Sequence, residues 1–401
     1  MCCSNFIRWK SMMSNNKKSS PVYLISLGAF ALGMASYVTA GLLPMIETAF
    51  SVSVAIAAQL VTAFTLAYGL GSPIFVALLP AHKQRAGLLF ALGLFVLANV
   101  ASALSTNFTI LMIFRAIAGI GAGVYLAMGI AASAALSHVD QRGKSIAVIM
   151  GGMASGTVLG VPVSLLLAEQ LGWESALWLV ALLGGIAFVG LFARLPALPT
   201  AQAIPLKAKI ALLTDSHVVV ILLVSLLAAI SSLGMYTFLA PLIAAAAQPG
   251  SSPTVTPYLW VWGVGGVVGS FLIGPLVDRF KGPMLTLWIM AILAIALFLL
   301  PATLSTGPWL VMLPIAIWGA VGWALQVPQN NELIKAREQQ GDGNLAVALN
   351  ESALYLGSAL GAAMGGILLL QLWPAWMLAT SAGAVAIIGA ILQLLNLRRQ
   401  P

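Results

Sequence analysis

"PALPTAQAIPLKAKIALLT", residues 196–214, holds three prolines and two lysines between long apolar runs. A stretch so often broken by proline does not continue a helix. Working outward from it, six apolar runs precede and six follow. The first six lie near 21–45, 55–80, 86–104, 108–136, 144–168 and 174–194. The second six lie near 215–243, 255–277, 283–302, 308–333, 344–370 and 374–397. A membrane-spanning helix needs about 20 mostly apolar residues, and each run supplies them. Barrel strands would show short alternating segments instead. The expected fold is an all-α polytopic membrane protein of twelve transmembrane helices in two six-helix bundles. Its divisions are a tail (1–20), a first bundle (21–195), the linker (196–214), a second bundle (215–397) and a tail (398–401).

Composition agrees. Of 401 residues, 61% are hydrophobic and 7% charged, whereas a soluble chain carries roughly a quarter charged. The net charge of +8 would suit nucleic acid only if the basic residues clustered among aromatics. They sit instead in twos and threes between apolar runs, so the expected partner is the lipid bilayer and not nucleic acid. With the N-terminus inside, Arg8, Lys10, Lys17, Lys18, Lys83, Arg85, Arg142, Lys144, Arg194, Lys207, Lys209, Arg279, Lys281, Lys335, Arg337, Arg398 and Arg399 all fall on the inner side. Glu47, Glu169 and Glu174 lie near the outer one. The positive-inside rule therefore places both termini in the cytoplasm, as expected of a bacterial inner-membrane protein. Translation could begin at Met1, Met12 or Met13, and the run after Lys18 is too long for a signal-peptide core. Cys2 and Cys3 are the only cysteines and, being adjacent, cannot staple a fold.

The halves resemble each other. "GSPIFVALLPAHKQR" from Gly71 aligns without gaps on "GSFLIGPLVDRFKGP" from Gly269, and "GTVLGVPVSLLLAEQLGW" from Gly156 matches "GSALGAAMGGILLLQLW" from Gly357. Each shared pattern ends an equivalent span, as parallel repeats around a midplane site would.

These motifs resemble the major facilitator superfamily, in particular its twelve-span drug:proton antiporter group and arabinose-efflux-like branch. "GPLVDRFKG" at 274–282 is similar to the family's cytoplasmic loop motif, which implies a conformational latch at Asp278 and Arg279. "RAIAGIGAG" from Arg115 is similar to the fourth-span motif associated with proton coupling, and "GGMASGTVLGVP" from Gly151 to the fifth-span antiporter motif. "YVTAGLLPMIETAFSVS" resembles the branch's first span. The departures are Pro80 in place of an acid in the first-half latch, Ser36 where relatives carry an acid before Tyr37, and Met45 where many carry Glu after Pro44.

Two charges fall inside spans, where ionised groups cost about 2.5–3.5 kcal/mol on translocon scales. Arg115 is read either as bonded to helix carbonyls or as a coupling residue. Glu351 is read either as a hydrated interfacial group or as a proton carrier. At 100° per residue Tyr355 and Ser358 fall within about 40° of Glu351. Gly357, Gly361 and Gly365 lie about 240–320° round, forming a small-residue ridge for helix packing. Gly156, Gly160 and Pro162 are assigned to helix packing as well.

Substrate contact, by the resemblance, falls to the first, fourth, seventh and tenth spans. The candidate cavity residues are Tyr37, Thr39, Tyr125, Tyr236, Trp323, Gln326, Asn350 and Tyr355. Aromatic walls with few charges suit a small neutral or moderately apolar solute. His82, His138 and His217 lack metal-ligand spacing, and no G-x-x-x-x-G-K-[ST] loop occurs. No cofactor, metal or catalytic role is expected. The chain is expected to act as a monomer that exports a small-molecule substrate in exchange for protons. An uptake symporter or facilitator for a sugar or nucleoside is the alternative, and a membrane-embedded enzyme or receptor the alternative of another class.

Overall fold

Lipid offers the backbone no hydrogen bonds, so each apolar run must satisfy its own N–H and C=O groups as a helix. The computed structural model describes residues 2–52, 54–57, 59–198, 211–239, 242–243, 255–304 and 308–399. Most of the linker, with Lys207 and Lys209, lies outside the described residues. Among the described residues, twelve helices are long and apolar enough to cross a membrane. In the first half they are α1 (Pro21–Leu43), α2 (Gln59–Leu78), α3 (Gln84–Ala103), α4 (Phe108–Leu136), α5 (Val139–Leu171) and α6 (Glu174–Arg194). In the second they are α7 (Ser216–Tyr236), α8 (Thr256–Arg279), α9 (Gly282–Leu304), α10 (Trp309–Ala336), α11 (Gly343–Leu369) and α12 (Trp376–Arg398). No strand occurs among the described residues. The segment expected as an N-terminal tail is helical too, continuous with α1 from Cys2 to Phe50.

Local chemistry sets the helix ends. Asn107 caps α4, its side-chain oxygen accepting from Thr109 N at 2.8 Å. Asp215 does the same for α7, accepting from His217 N at 3.0 Å. Such caps satisfy the orphan donors of a first turn. Between α5 and α6 the chain turns at Gly172, whose φ of 93° favours a residue without Cβ.

Prolines deform two helices at related places. Pro73 and Pro162 have no N–H and collide with the carbonyl four residues back. The strain is taken up by a π turn at Ala67–Gly71 in α2 and at Gly156–Gly160 in α5. The carbonyls left without their α-helical partners are those of Gly69 and Val158.

Small residues set the closest helix contacts. A Cβ on Gly361 of α11 would lie 2.4 Å from the Ile230 carbonyl oxygen of α7. One on Gly357 would meet the Leu226 carbonyl oxygen at 2.5 Å, and one on Gly365 the Phe238 ring at 2.2 Å. The ridge expected from the sequence therefore packs against α7 and the turn that follows it. Gly156 and Gly160 seat α5 on α1, where added Cβ atoms would lie 2.0 Å from Phe30 O and 2.7 Å from Met34 Sδ.

The bundles meet along two seams, α2 with α11 and α5 with α8. On the face carrying the basic loops, three links join them. Arg142 at the start of α5 pairs with Glu338 at 2.6 Å. The Asp278 carboxylate at the end of α8 accepts from Gly143 N at 2.7 Å and Lys144 N at 3.0 Å, an anion placed at a helix N-terminus. The Asn344 amide donates to Gln84. Arg279 is exposed and outside this set.

Replacing Gly361 by Leu should lower the thermal unfolding temperature in detergent, because overpacking of this kind costs about 1–3 kcal/mol. Gly366→Leu, where nothing lies within 4 Å of a new Cβ, should leave that temperature unchanged.

Candidate functional site

Between the bundles lies a cavity of about 60 Å³, walled by α1, α5, α7, α10 and α11. Drug-sized ligands fill roughly 300–1,000 Å³, so the site is nearly closed in this conformation. Tyr37, Trp323, Gln326, Glu351, Tyr355 and Ser358 all lie on its wall. The charged group and the stripe placed on one face by helical spacing are thus together at the cavity.

Glu351 is buried, with 2% of its surface exposed. Its Oε2 accepts from the Tyr68 hydroxyl across the α2–α11 seam at 3.5 Å. Its Oε1 has no donor in bonding geometry, with the Asn330 side chain close by. Among the described residues no Lys, Arg or His comes within salt-bridge distance of it. The Tyr68 and Tyr355 rings stand 4.0 Å apart, centroid to centroid. Beside them the Ser352 hydroxyl donates to the Gly69 carbonyl oxygen, the acceptor that Pro73 deprives of its helical partner. Asn350 faces Asn330, donating to its side-chain oxygen at 2.9 Å.

Arg115 lies within the first bundle and apart from the cavity, 1% exposed. Its Nη2 donates to Ala35 O at 2.8 Å and its Nη1 to Asn99 Oδ1 at 3.3 Å. The guanidinium carbon sits 4.5 Å from the centroid of the Phe64 ring, a cation–π contact. Nε has no acceptor. Among the described residues no carboxylate is within salt-bridge distance of Arg115. Arg115 is therefore bonded to a helix carbonyl and an amide, and it does not touch Glu351.

The other expected cavity residues divide. Tyr236 stands behind the wall, edge-on to Tyr37 at 6.5 Å and 4.5 Å from Trp262. Thr39 is buried beyond Tyr37 with its hydroxyl unpartnered. Tyr125 is outside the cavity: its hydroxyl donates to Ile25 O at 3.0 Å, and its ring fills the space left by Gly28 of α1. Trp173, between α5 and α6, is buried, with its ring centroid 5.5 Å from that of Phe50.

Three groups at the site were not singled out from the sequence: Tyr68, Ser352 and Asn330. Their signals were a proline in mid-span following "AYGLGS", and the polar run "PQNN" at 328–331 within an otherwise apolar helix. The unpartnered polar atoms on the cavity wall are Trp323 Nε1, Gln326 Oε1 and Glu351 Oε1. Together they offer one donor, one amide acceptor and one ionisable oxygen among aromatic faces. That set can orient a small solute and hold or release a proton. It contains no nucleophile–base pair, and no metal-binding cluster occurs among the described residues.

The model of the Major Facilitator Superfamily matches residues 25–337. The inner membrane transport protein YdhP of Escherichia coli (strain K12) is 28% identical over 387 residues, which cover 96% of this chain and 98% of that one. The chloramphenicol resistance protein of Streptomyces lividans is 29% identical, over 85% of this chain and 87% of that one. Among solved structures, the E. coli fucose:proton symporter FucP superposes with a TM-score of 0.72 at 18% identity, over 93% of this chain and 98% of that one. That likeness is one of fold. The chain belongs to the Major Facilitator Superfamily, as an integral inner-membrane transporter of small solutes and not an enzyme.

Proposed function

We propose that the protein exports a small, neutral or moderately apolar organic solute in exchange for protons, by alternating access. The observation that carries this reading is Glu351. It is a carboxyl on the wall of the central cavity, buried at the seam and bonded only across it. An ionised carboxyl without a cation is expensive at membrane depth, whereas a protonated one is tolerated. Such a group holds its proton while the site is dry and releases it when one side opens to water.

The same proton position links the carboxyl to the seam. Tyr68 Oη donates to Glu351, and its ring packs against Tyr355, so a change at Glu351 is felt by α2. Phe64, one helical turn from Tyr68, lies under Arg115. Arg115 is thereby assigned to positioning α1 and α2 beside the coupling site, not to carrying the proton. The orientation follows the basic loops, which place both termini and the closed face in the cytoplasm. Asp278, Arg142 and Glu338 then latch the outward-facing state, and a single chain supplies the whole cavity. Export as the direction draws support from the name of the chloramphenicol resistance relative.

In everted vesicles, a pH gradient should drive accumulation of radiolabelled chloramphenicol or a labelled pentose, used as probes. Glu351→Gln should cut that flux at least tenfold while preserving solute–solute exchange. Wild-type pH-driven flux in this variant removes Glu351 from coupling, and gradient-driven loss from the vesicles identifies uptake instead.

Arg115→Met should reduce transport tenfold or more with little change in thermal stability, since an apolar residue of similar volume replaces a costly buried charge. A variant that transports normally would make Arg115 purely structural.

Arg142 beside Glu338 holds that carboxyl below the ordinary Glu range. A depressed value means the pair's contribution is complete above about pH 4.3 and is lost as pH falls through the lowered value. Alkylation of a cysteine placed at Asn344, in a chain with Cys2 and Cys3 replaced by Ser, should rise in that acidic window. In Glu338→Gln it should be raised at neutral pH as well.

A further inference from the structure

Two neighbouring residues of the polar run in α10 are built into the bundle in opposite ways. Gln329 is bonded on every side. Its Nε2 donates to Ile221 O and to Ser225 Oγ, both at 3.2 Å, and its Oε1 accepts from Thr286 Oγ1 at 3.4 Å. A side chain so held does not turn. Asn330 is bonded at one end only: its Oδ1 accepts from Asn350 Nδ2 at 2.9 Å, while its own Nδ2 has no acceptor. Asn350 shows the converse, an Oδ1 without a donor. Both side chains are fully buried, where amide groups are seldom left unpaired.

The Asn330 side chain stands beside the Glu351 carboxyl. Tyr68 takes Oε2, which leaves the unpartnered Oε1 for Asn330. Carboxyl, Asn330 and Asn350 thus form a row of three. An amide carries its acceptor and its donor on either side of one carbon, so a half turn exchanges them. In one setting Asn330 Nδ2 donates to an ionised Oε1, and Oδ1 accepts from Asn350. In the other, a protonated Oε1 donates to Asn330 Oδ1, and Nδ2 donates to Asn350 Oδ1, Asn350 having turned as well. The row stays bonded in both settings, with no water and no helix movement.

Little else near the carboxyl competes for the proton. Tyr68 of α2 and Tyr355 of α11 adjoin it, and Tyr37 of α1 shares the cavity wall. All three are phenols, which ionise only near pH 10. Among the described residues, α5, α7 and α10 bring no ionisable side chain to that wall. Arg115 of α4 is engaged by Ala35 O and Asn99 Oδ1, and α12 carries no charge before Arg398.

We propose that Asn330 is a positioning residue for the transported proton. With Asn350 it turns as Glu351 gains or loses the proton, and it fixes that proton on Oε1. This rests on the reading of Glu351 as the proton carrier. Oε2 then stays an acceptor for Tyr68 in both states, and a stronger one while the carboxyl is ionised.

The test is infrared difference spectroscopy between acid and alkaline buffer, on the full chain in liposomes. Asparagine is labelled with carbon-13 at its side-chain carbonyl. The wild type should show a protonated-carboxyl band that disappears on titration and, with the same midpoint, a shift of labelled asparagine bands. Both should be absent from Glu351→Gln. In Asn330→Leu the carboxyl band should lie at the higher frequency of an unbonded acid. Its midpoint should move about one pH unit or more to the alkaline side, because the ionised form loses the stronger of the two bonds. Asn330→Thr, whose hydroxyl both donates and accepts, should bring the midpoint back toward the wild type. A carboxyl band that titrates while the asparagine bands stay still overturns the inference, and so does an unmoved midpoint in Asn330→Leu. The first of these is read on the wild type, so misfolding of a variant leaves it decidable. With no titrating carboxyl band at all, the inference and the proton reading fall together. If the bands move as expected but a pH gradient drives no solute flux, the turning pair stands and proton exchange is the reading that fails.

Discussion

A carbonyl at membrane depth that loses its helical partner has to find another, and the inter-bundle contact depends on one such carbonyl. Pro73 cannot donate to Gly69, and the α2 helix opens into a π turn at that point. The Ser352 hydroxyl of the opposite bundle supplies the missing donor. With that bond made, Tyr68 is held where its ring packs against Tyr355 and its hydroxyl reaches Glu351. Without the proline, α2 would complete its own ladder and Ser352 would have nothing to bond across the seam. The carboxyl site is therefore a consequence of a backbone defect in the other half of the molecule.

The second buried charge follows the opposite logic. Arg115 is surrounded by acceptors belonging to its own bundle, Ala35 O and Asn99 Oδ1, with the Phe64 ring beneath it. Its two committed donors tie α4 to α1 and α3, and the ring contact ties it to α2. A charge so distributed stiffens the three helices into a body that can move as a unit. Glu351 has one long bond and one empty oxygen, so little holds it in a fixed state. Rigidity and lability are thus divided between these two buried charged groups.

Much of this was legible beforehand. Run length and proline punctuation gave the twelve helices, because lipid permits a long apolar run almost no other conformation. The angular separation of Glu351, Tyr355 and Ser358 from Gly357, Gly361 and Gly365 gave α11 two working faces, and the structure puts one on the cavity and the other on α7. What sequence could not supply was the partner of each group. Tyr68 looked like one aromatic among many until α2 was laid beside α11. Tyr125, assigned to the cavity by its span, proved to fill a notch left by Gly28, because a glycine on α1 draws α4 in at that level.

The unequal seams have a mechanical corollary. Hydrogen bonds such as Ser352 to Gly69 are directional and short-ranged, so that contact is either made or lost and behaves as a catch. Beyond the Asp278 bonds to Gly143 N and Lys144 N, the stretch of α5 and α8 with Gly151 and Gly274 against their opposite numbers is held by dispersion and tolerates tilting, as a hinge must. Two bundles joined by a catch on one flank and a hinge on the other do not rock symmetrically. They swing, and the first edge to open is the one that carries the carboxyl.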